Sequence, residues 1–186
     1  MIVDTHLHLI DRSVLRYPWL GGAPALDHDF SHEDYAVQAR RAGIEAALHM
    51  EVDVDPLDIE AETRHVKALS ERKDSLLRGA IASCRPEEPD FPAYLERVLA
   101  NPFVKGFRRV LHVVPDGLSE SALFRDNIKR LGGKGLTFDL CVLPRQMKQA
   151  IALVDLAPDL QFVLDHCRAP DIKAGAEHPW REGIIE

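Results

Sequence analysis

Short apolar runs alternate along the chain with longer segments in which apolar residues recur at helical spacing. The runs cover residues 1–3, 44–50, 76–82, 103–111, 136–143 and 160–164. Residues 61–73 and 146–156 place apolar positions among charged ones, as in helices that pack one face on a sheet. Strands that alternate with such helices are typical of parallel sheets built from βα units. The pattern predicts an α/β fold with about six βα units.

Capping and turn residues fit this pattern. Ser31 followed by Asp34 resembles a capping pair for a helix through residues 35–41, and Gly43 stands where that helix should end. Residues 9–30, which contain turn-forming proline and glycine, predict a long loop after the first strand. Long loops in compact domains are often functional.

Length sets the expected extent of the fold. The chain has 186 residues, of which 46% are hydrophobic, enough for one core, so we predict a single domain over residues 1–186. A closed (β/α)8 barrel usually takes about 250 residues, and about 200 is near the lower limit. Residues 179–186 resemble the opening of a further helix. The sequence therefore predicts a partial (β/α)8 TIM barrel that lacks its last two βα units.

Charge and cysteine content exclude several classes of protein. The net charge is -7 and basic residues form no block, so a nucleic-acid partner is not expected. No apolar segment reaches the roughly 20 residues that cross a bilayer, and the N-terminus lacks a signal-peptide pattern. The cysteines Cys84, Cys141 and Cys167 are odd in number and widely spaced, which favours a reducing cytoplasm. We interpret them as packing residues rather than a trio of metal ligands.

The sharpest local motif is Asp4-Thr5-His6-Leu7-His8, at the end of the first apolar run. Side chains two residues apart on a strand point to the same face, so His6 and His8 should project together. Such a pair can bind a divalent metal or polarise a substrate oxygen. Two partly solvated histidines on a strand end are the structural alternative.

Further motifs follow in order along essentially the whole chain. They are Tyr17-Pro18-Trp19-Leu20, Val52-Asp53, Ala61-Glu62-Thr63, Val104-Lys105-Gly106-Phe107-Arg108-Arg109, Phe138-Asp139-Leu140 with Pro144 and Gln146, and Phe162-Val163-Leu164-Asp165-His166. Together with the first motif they resemble the amidohydrolase-2 group of TIM-barrel hydrolases, which includes sugar-acid lactonases and 2-pyrone-4,6-dicarboxylate lactonase. The resemblance implies hydrolysis of a small lactone by carbonyl polarisation and water attack.

The predicted fourth strand offers two arginines on opposite faces. On a regular strand Arg108 shares a face with His112, and Arg109 lies on the other face. The resemblance favours Arg108 as the group that binds a substrate carboxylate or lactone oxygen, with His112 as a weaker substrate contact. The alternative is that an arginine here pairs with a surface acid, which we expect of Arg109.

Two acidic residues are further candidates. Asp139 lies inside an otherwise apolar run, where a carboxylate needs partners. It either orients a catalytic histidine or arginine, or accepts hydrogen bonds from nearby backbone groups. Glu51 shares a face with His49 and lies near the end of the second strand, which makes it a lower-ranked substrate contact.

His166 ends the predicted sixth strand, at the edge where the active sites of parallel barrels gather. With His6 and His8 it could complete three nitrogen ligands for a divalent metal such as zinc or manganese. Several lactonases of the family that the chain resembles use their histidines on the carbonyl without a metal, so both possibilities stay open. Asp165 should point the opposite way and serve a structural role.

One family feature does not occur in this sequence. The resemblance implies an aspartate in a Gly-Ser-Asp context on the eighth strand, acting as general base or metal ligand, and no such motif is present. Loss of such a base costs about a hundredfold to ten-thousandfold in rate. Its absence supports one alternative, a truncated, non-catalytic remnant. A second alternative is a metal-dependent decarboxylase on the same scaffold, which also uses an HxH first strand. The expected partners are a small lactone or carboxylate and, where unpaired sheet edges associate, a second copy of the chain.

Overall fold

A computed structural model describes residues 1–168 and residue 173, and these form an α/β fold in which strands and helices alternate. The strands are β1 Ile2–Leu7, β2 Ile44–Met50, β3 Leu77–Ser83, β4 Val104–Val110, β5 Thr137–Cys141 and β6 Gln161–Leu164; the α-helices are α1 His32–Arg41, α2 Ile59–Ser70, α3 Phe91–Leu99, α4 Ala122–Lys129 and α5 Met147–Leu156. The strands follow one another in the sheet in the order β1-β2-β3-β4-β5-β6. No helix among the described residues has the length and apolar character needed to cross a membrane.

The strand boundaries differ most from prediction at β1. The apolar run ends at Val3, yet the strand continues through Asp4, Thr5 and His6 to Leu7. Parallel pairing with β2 supports these polar residues, because Asp4 lies opposite Ala47 and Leu7 lies opposite His49. Backbone pairing thus extends the strand beyond its apolar residues and brings His6 into it.

The chain forms two compact units, the first comprising Met1–Ser83 and Asn101–Gly106. Its core packs side chains of β1, β2 and β3 against α2, and the buried members are Leu7, Leu9, Ala47, Val66, Leu69 and Leu77. At Gly79 on β3 the close packing leaves no room for a side chain. A Cβ atom there would lie 2.7 Å from Cγ of Lys105 and 3.0 Å from the carbonyl oxygen of Phe103.

The second unit comprises Cys84–Ala100 and the described residues from Phe107 onward. Its core is built on aromatic rings at separations that favour ring packing. The rings of Phe91 and Tyr94 lie 6.3 and 6.0 Å from that of Phe107, and the Phe138 ring lies 6.1 Å from that of Phe162. The prediction of a single domain over residues 1–186 stays a prediction.

The predicted cap and loop are both confirmed. Ser31 precedes α1, and its Oγ accepts a hydrogen bond from the Asp34 backbone N–H at 3.1 Å. The φ angle of Gly43, just beyond the helix, is 75°, the left-handed conformation that glycine adopts easily. The loop over residues 9–30 is ordered, since Ile10 and Phe30 pair in antiparallel fashion and Nε1 of Trp19 donates to the Val52 carbonyl at 2.8 Å.

Candidate active site

His6 and His8 lie side by side at the carboxyl end of β1, as their spacing predicted. Their ring centroids are 4.9 Å apart and the ring planes are perpendicular. Nδ1 of His8 lies 3.0 Å from the backbone carbonyl oxygen of Met50. Because a carbonyl can only accept, Nδ1 must carry the hydrogen, and in the neutral ring Nε2 is then the nitrogen with a lone pair. The second strand thus sets the tautomer that a metal or a proton donor would require.

Asp4 anchors this strand end, a role that the sequence analysis did not assign. Its Oδ1 accepts from the His6 backbone N–H at 3.0 Å, and its Oδ2 accepts from the Tyr35 hydroxyl at 2.9 Å. Burial, followed by this hydrogen bond, raises the pKa of Tyr35, which therefore remains a donor. Asp4 ties the histidine-bearing strand to α1.

Glu51 follows β2 directly and is fully buried. Its Oε2 accepts from the backbone N–H of Asp53 at 2.8 Å, and Asp53 has a φ of 44°, a conformation that non-glycine residues seldom adopt. Glu51 therefore shapes the turn at the end of β2. Its contact with substrate stays a prediction.

A buried pair behind β2 was missed by the sequence analysis. Nε2 of His49 lies 3.2 Å from Oε1 of Glu62, which also accepts from the Val52 backbone N–H at 2.9 Å. Both side chains are buried. His49 was noted only for sharing a face with Glu51, and its true partner lies on α2, where no local signal in the sequence identifies it.

In the second unit, Arg108 on β4 donates from Nη1 to Oδ2 of Asp165 at 3.1 Å, and the side chains are only 5% and 2% exposed. The expectation that Asp165 would point away from His166 is wrong, because β6 ends at Leu164 and Asp165 begins a 3-10 turn, Asp165–Arg168. Strand alternation does not apply there. A donor atom of Asp165 and one of His166 lie within 4.8 Å of each other.

His166 lies two residues beyond β6 rather than at its end. Its φ is 50° and that of Cys167 is 47°, so two consecutive non-glycine residues adopt the left-handed region. Such a conformation costs of order 1–3 kcal/mol per residue and is often found at functional sites. The turn exposes the His166 ring while its neighbour Asp165 stays buried.

Arg109 pairs with an acid, as predicted. Its Nη2 lies 2.6 Å from Oε1 of Glu87, and both side chains are largely buried. The expectation that this acid would lie on the surface was therefore wrong, since Glu87 is largely buried. The pair fastens β4 to the segment between β3 and α3.

Asp139 and His112 both lie in the second unit, Asp139 on β5 and His112 in the turn after β4. Asp139 is buried on β5, where its Oδ1 accepts from the Thr137 hydroxyl at 3.2 Å. Its catalytic role stays a prediction. The prediction that His112 continues the face of Arg108 is wrong, because β4 ends at Val110 and His112 lies in a turn, exposed to solvent. Its Nδ1 lies 3.4 Å from Sγ of Cys141.

The cysteines differ from one another in environment. Cys84 and Cys141 are buried, whereas Cys167 is exposed, so the interpretation of all three as packing residues is wrong for Cys167. It follows His166 in the left-handed turn, which no apolar pattern in the sequence could reveal.

The donor chemistry suits a divalent metal. Each unit supplies two candidate ligands next to each other: His6 and His8 in the first, and Asp165 and His166 in the second. Imidazole nitrogens with a carboxylate suit zinc and are also compatible with manganese.

Comparison with known proteins gives consistent results. A family model described as Amidohydrolase matches residues 3–186. An uncharacterized protein of Sinorhizobium fredii, y4mH, is 26% identical over 183 residues, a match that covers 89% of this chain and 61% of that protein.

Solved structures give the fold. A zinc-bound amidohydrolase from Burkholderia multivorans is 20% identical with a TM-score of 0.81, over 99% of this chain and 64% of that chain. A probable 2-pyrone-4,6-dicarboxylic acid hydrolase from Acinetobacter baumannii with citric acid bound is 14% identical with a TM-score of 0.77, over 99% and 65%. The chain thus spans less than two thirds of the length of these proteins, and the predicted partial (β/α)8 barrel is confirmed. The chain belongs to the amidohydrolase family whose model it matches over residues 3–186.

Proposed function

We propose that this chain carries the carbonyl-binding part of a hydrolase that opens small lactones of the sugar-acid or pyrone-dicarboxylate type. The observation that supports this most directly is the pair of adjacent imidazoles of His6 and His8 at the end of β1. The bond from His8 to the Met50 carbonyl fixes one ring with an acceptor nitrogen at Nε2. Membership of the amidohydrolase family agrees with hydrolysis.

His6, His8 and His166 are the groups proposed to bind the carbonyl side of the lactone. Positive or hydrogen-bonding groups held in advance around a carbonyl oxygen stabilise the oxyanion that forms when water adds. A divalent metal such as zinc or manganese, held by these histidines, would supply Lewis-acid polarisation of the same carbonyl.

We propose to add Asp165 to this set. Arg108 holds its carboxylate beside His166, so an acidic group lies next to the proposed carbonyl-binding ring. A carboxylate in that position can orient the imidazole or accept a proton from the attacking water. When the ring C–O bond breaks, the leaving oxygen takes up a proton, and the product is a hydroxy acid.

Substrate selection is proposed to rest on Arg108 on β4, His112 in the turn after it, and Asp139 on β5. Arg108 is engaged with Asp165, so we assign it first to positioning that carboxylate, and its contact with an anionic substrate remains a sequence prediction. His112 is exposed and could contact substrate, and Asp139 is proposed to support the arginine and histidine side chains through its buried carboxylate.

The test is a substrate panel with the purified chain, first stripped with a chelator and then supplied with zinc or manganese. We expect acid release from a sugar-acid lactone or from 2-pyrone-4,6-dicarboxylate, followed in a pH-stat. Carbon dioxide release from an aromatic or unsaturated acid would instead favour a decarboxylase. A cooperatively folded chain that hydrolyses none of the lactones under either metal condition would contradict the proposal.

A further inference from the structure

Cys141 and His112 form a thiol–imidazole pair, and the proposed hydrolysis gives no role to its thiol. Sγ of Cys141, the last residue of β5, lies 3.4 Å from Nδ1 of His112, in the turn after β4. This is within hydrogen-bonding distance for sulfur, and an imidazole is a base that can remove a thiol proton near neutral pH.

The backbone around this pair is fixed by hydrogen bonds. The Leu111 N–H donates to the Cys141 carbonyl at 3.0 Å, which joins the ends of the two strands at this point. The side chain of Gln146 then bridges both segments, since its Nε2 donates to the Leu111 carbonyl at 3.0 Å and its Oε1 accepts from the Leu143 N–H at 2.9 Å. The thiol and the imidazole are thus held together by the strand ends and not by chance contact of two mobile side chains.

The two members differ in exposure in a way that suits a nucleophile and its base. Cys141 is only 7% exposed, whereas His112 is open to solvent and can exchange its proton with water. Gln146 also donates to Asp116, which pairs with Arg145 at 3.2 Å. Asp139 lies two residues earlier on β5 and is engaged with Thr137.

We propose that Cys141, activated by His112, is a nucleophilic site that takes small α,β-unsaturated carbonyl compounds by conjugate addition. The thiol proton passes to Nδ1 of His112, and the thiolate sulfur forms a bond to the β-carbon. The electrons of the C=C bond move onto the carbonyl oxygen to give an enolate. The imidazolium then returns the proton to the α-carbon, so that S–H has added across the double bond with no other reactant.

The other two cysteines provide comparisons within the same chain. Sγ of Cys84 is fully buried and donates to the Arg108 carbonyl at 3.6 Å, an acceptor that cannot remove the proton. Cys167 is exposed. If solvent exposure alone set the rate of thiol addition, the exposed Cys167 should react fastest. The buried Cys141 should then react as slowly as the buried Cys84.

The experiment measures the rate of N-ethylmaleimide addition at each cysteine of the native chain, resolved by mass spectrometry, from pH 6.5 to 8. An ordinary thiol with a pKa of about 8.5, represented by a cysteine peptide in the same tube, should react about twentyfold faster at pH 8 than at pH 6.5. We expect the Cys141 rate to change about twofold only. In His112→Gln the Cys141 rate should fall and should depend on pH as steeply as the peptide rate. The control is His28→Gln, which replaces an exposed histidine of the loop, and its Cys141 rate should equal that of wild type.

Three results would overturn the proposal. One is a Cys141 rate that follows the peptide across the pH range, and another is an unchanged profile in His112→Gln. The third is the absence of Cys141 labelling in native chain that labels fully once unfolded, because that would show a thiol used only for packing. None of these outcomes depends on lactone hydrolysis.

Discussion

Arg108 on β4 and Asp165, directly after β6, form a buried ion pair with Nη1 and Oδ2 3.1 Å apart. Taking two charges out of water is costly, and their attraction offsets this cost only while both partners are present. The pair also places a carboxylate beside His166, at the point where the backbone enters the left-handed region. Stability and the candidate site therefore depend on the same contact.

Replacing Arg108 with Met should destabilise the chain by about 3–5 kcal/mol, because it leaves the Asp165 carboxylate buried without its cation. The double variant Arg108→Met, Asp165→Leu should recover most of that loss. Urea unfolding followed by circular dichroism measures both. The matched control is Arg145→Ala, which removes an exposed ion pair with Asp116 and should cost less than about 1 kcal/mol. Equal losses of unfolding free energy in the Arg108 and Arg145 variants would show that the buried pair stabilises the chain no more than the exposed pair.

Glu62 is predicted to stabilise the fold as the shared acceptor at the end of β2. Glu62→Ala leaves two buried donors, the Val52 N–H and Nε2 of His49, without their acceptor, at about 1–3 kcal/mol each. Glu62→Gln retains an acceptor oxygen of the same shape and should cost less than half as much. Lys67→Ala, which removes an exposed ion pair on the same helix, is the control and should be nearly neutral. Thermal melts of the three variants rank their losses of stability.

Stability should decline in mild acid because of His32. Its Nε2 accepts from the Leu76 N–H at 3.2 Å, and burial, the largest cause, lowers its pKa from 6.5, with Arg72 and Arg40 acting in the same direction and Glu33 against them. The folded chain thus favours the neutral ring, so this contribution is present above about pH 6.5 and is lost as pH falls below it. Urea midpoints at pH 8 and pH 5 should differ less in His32→Gln than in wild type. An identical pH dependence in the two chains would contradict this assignment.

The loop over residues 9–30 should loosen when Arg16 is removed. Arg16 donates from Nε and Nη2 to the two carboxylate oxygens of Asp58, both at 2.8 Å, and the guanidinium lowers the pKa of Asp58. In Arg16→Ala we expect faster backbone hydrogen exchange in the loop, with a change in global stability below about 1 kcal/mol because Arg16 is exposed. Arg64→Ala, an exposed pair on α2, should leave the loop unchanged. Unaltered exchange in the loop of Arg16→Ala would mean that the Trp19 bond to Val52 is sufficient.

Much of the fold could be predicted from the sequence because hydrophobic periodicity and caps are local signals. The run over residues 44–50 coincides with β2, and Ser31 and Gly43 bound α1 as predicted. At β1 the prediction was too short, since pairing with β2 and not apolar content extends the strand to Leu7.

Site geometry was predictable only where it follows from strand alternation. That rule predicted the adjacency of His6 and His8, which holds although β1 ends at Leu7 between them. It failed for Asp165 and His112, because the chain turns directly after β6 and β4. Asp165 pairs with Arg108, 57 residues earlier in the chain. Such contacts depend on packing between distant segments, for which a single sequence carries no signal.

The measurement that tests the central claim most directly is the turnover of a cognate lactone by His6→Ala and His8→Ala, compared with His28→Ala as the matched control. Loss of one preorganised group at a carbonyl typically lowers kcat about 10²–10³-fold. We predict losses of at least this size for His6 and His8, an unchanged rate for His28, and native circular dichroism for all three variants. Turnover in folded His6→Ala equal to that of wild type would contradict the account.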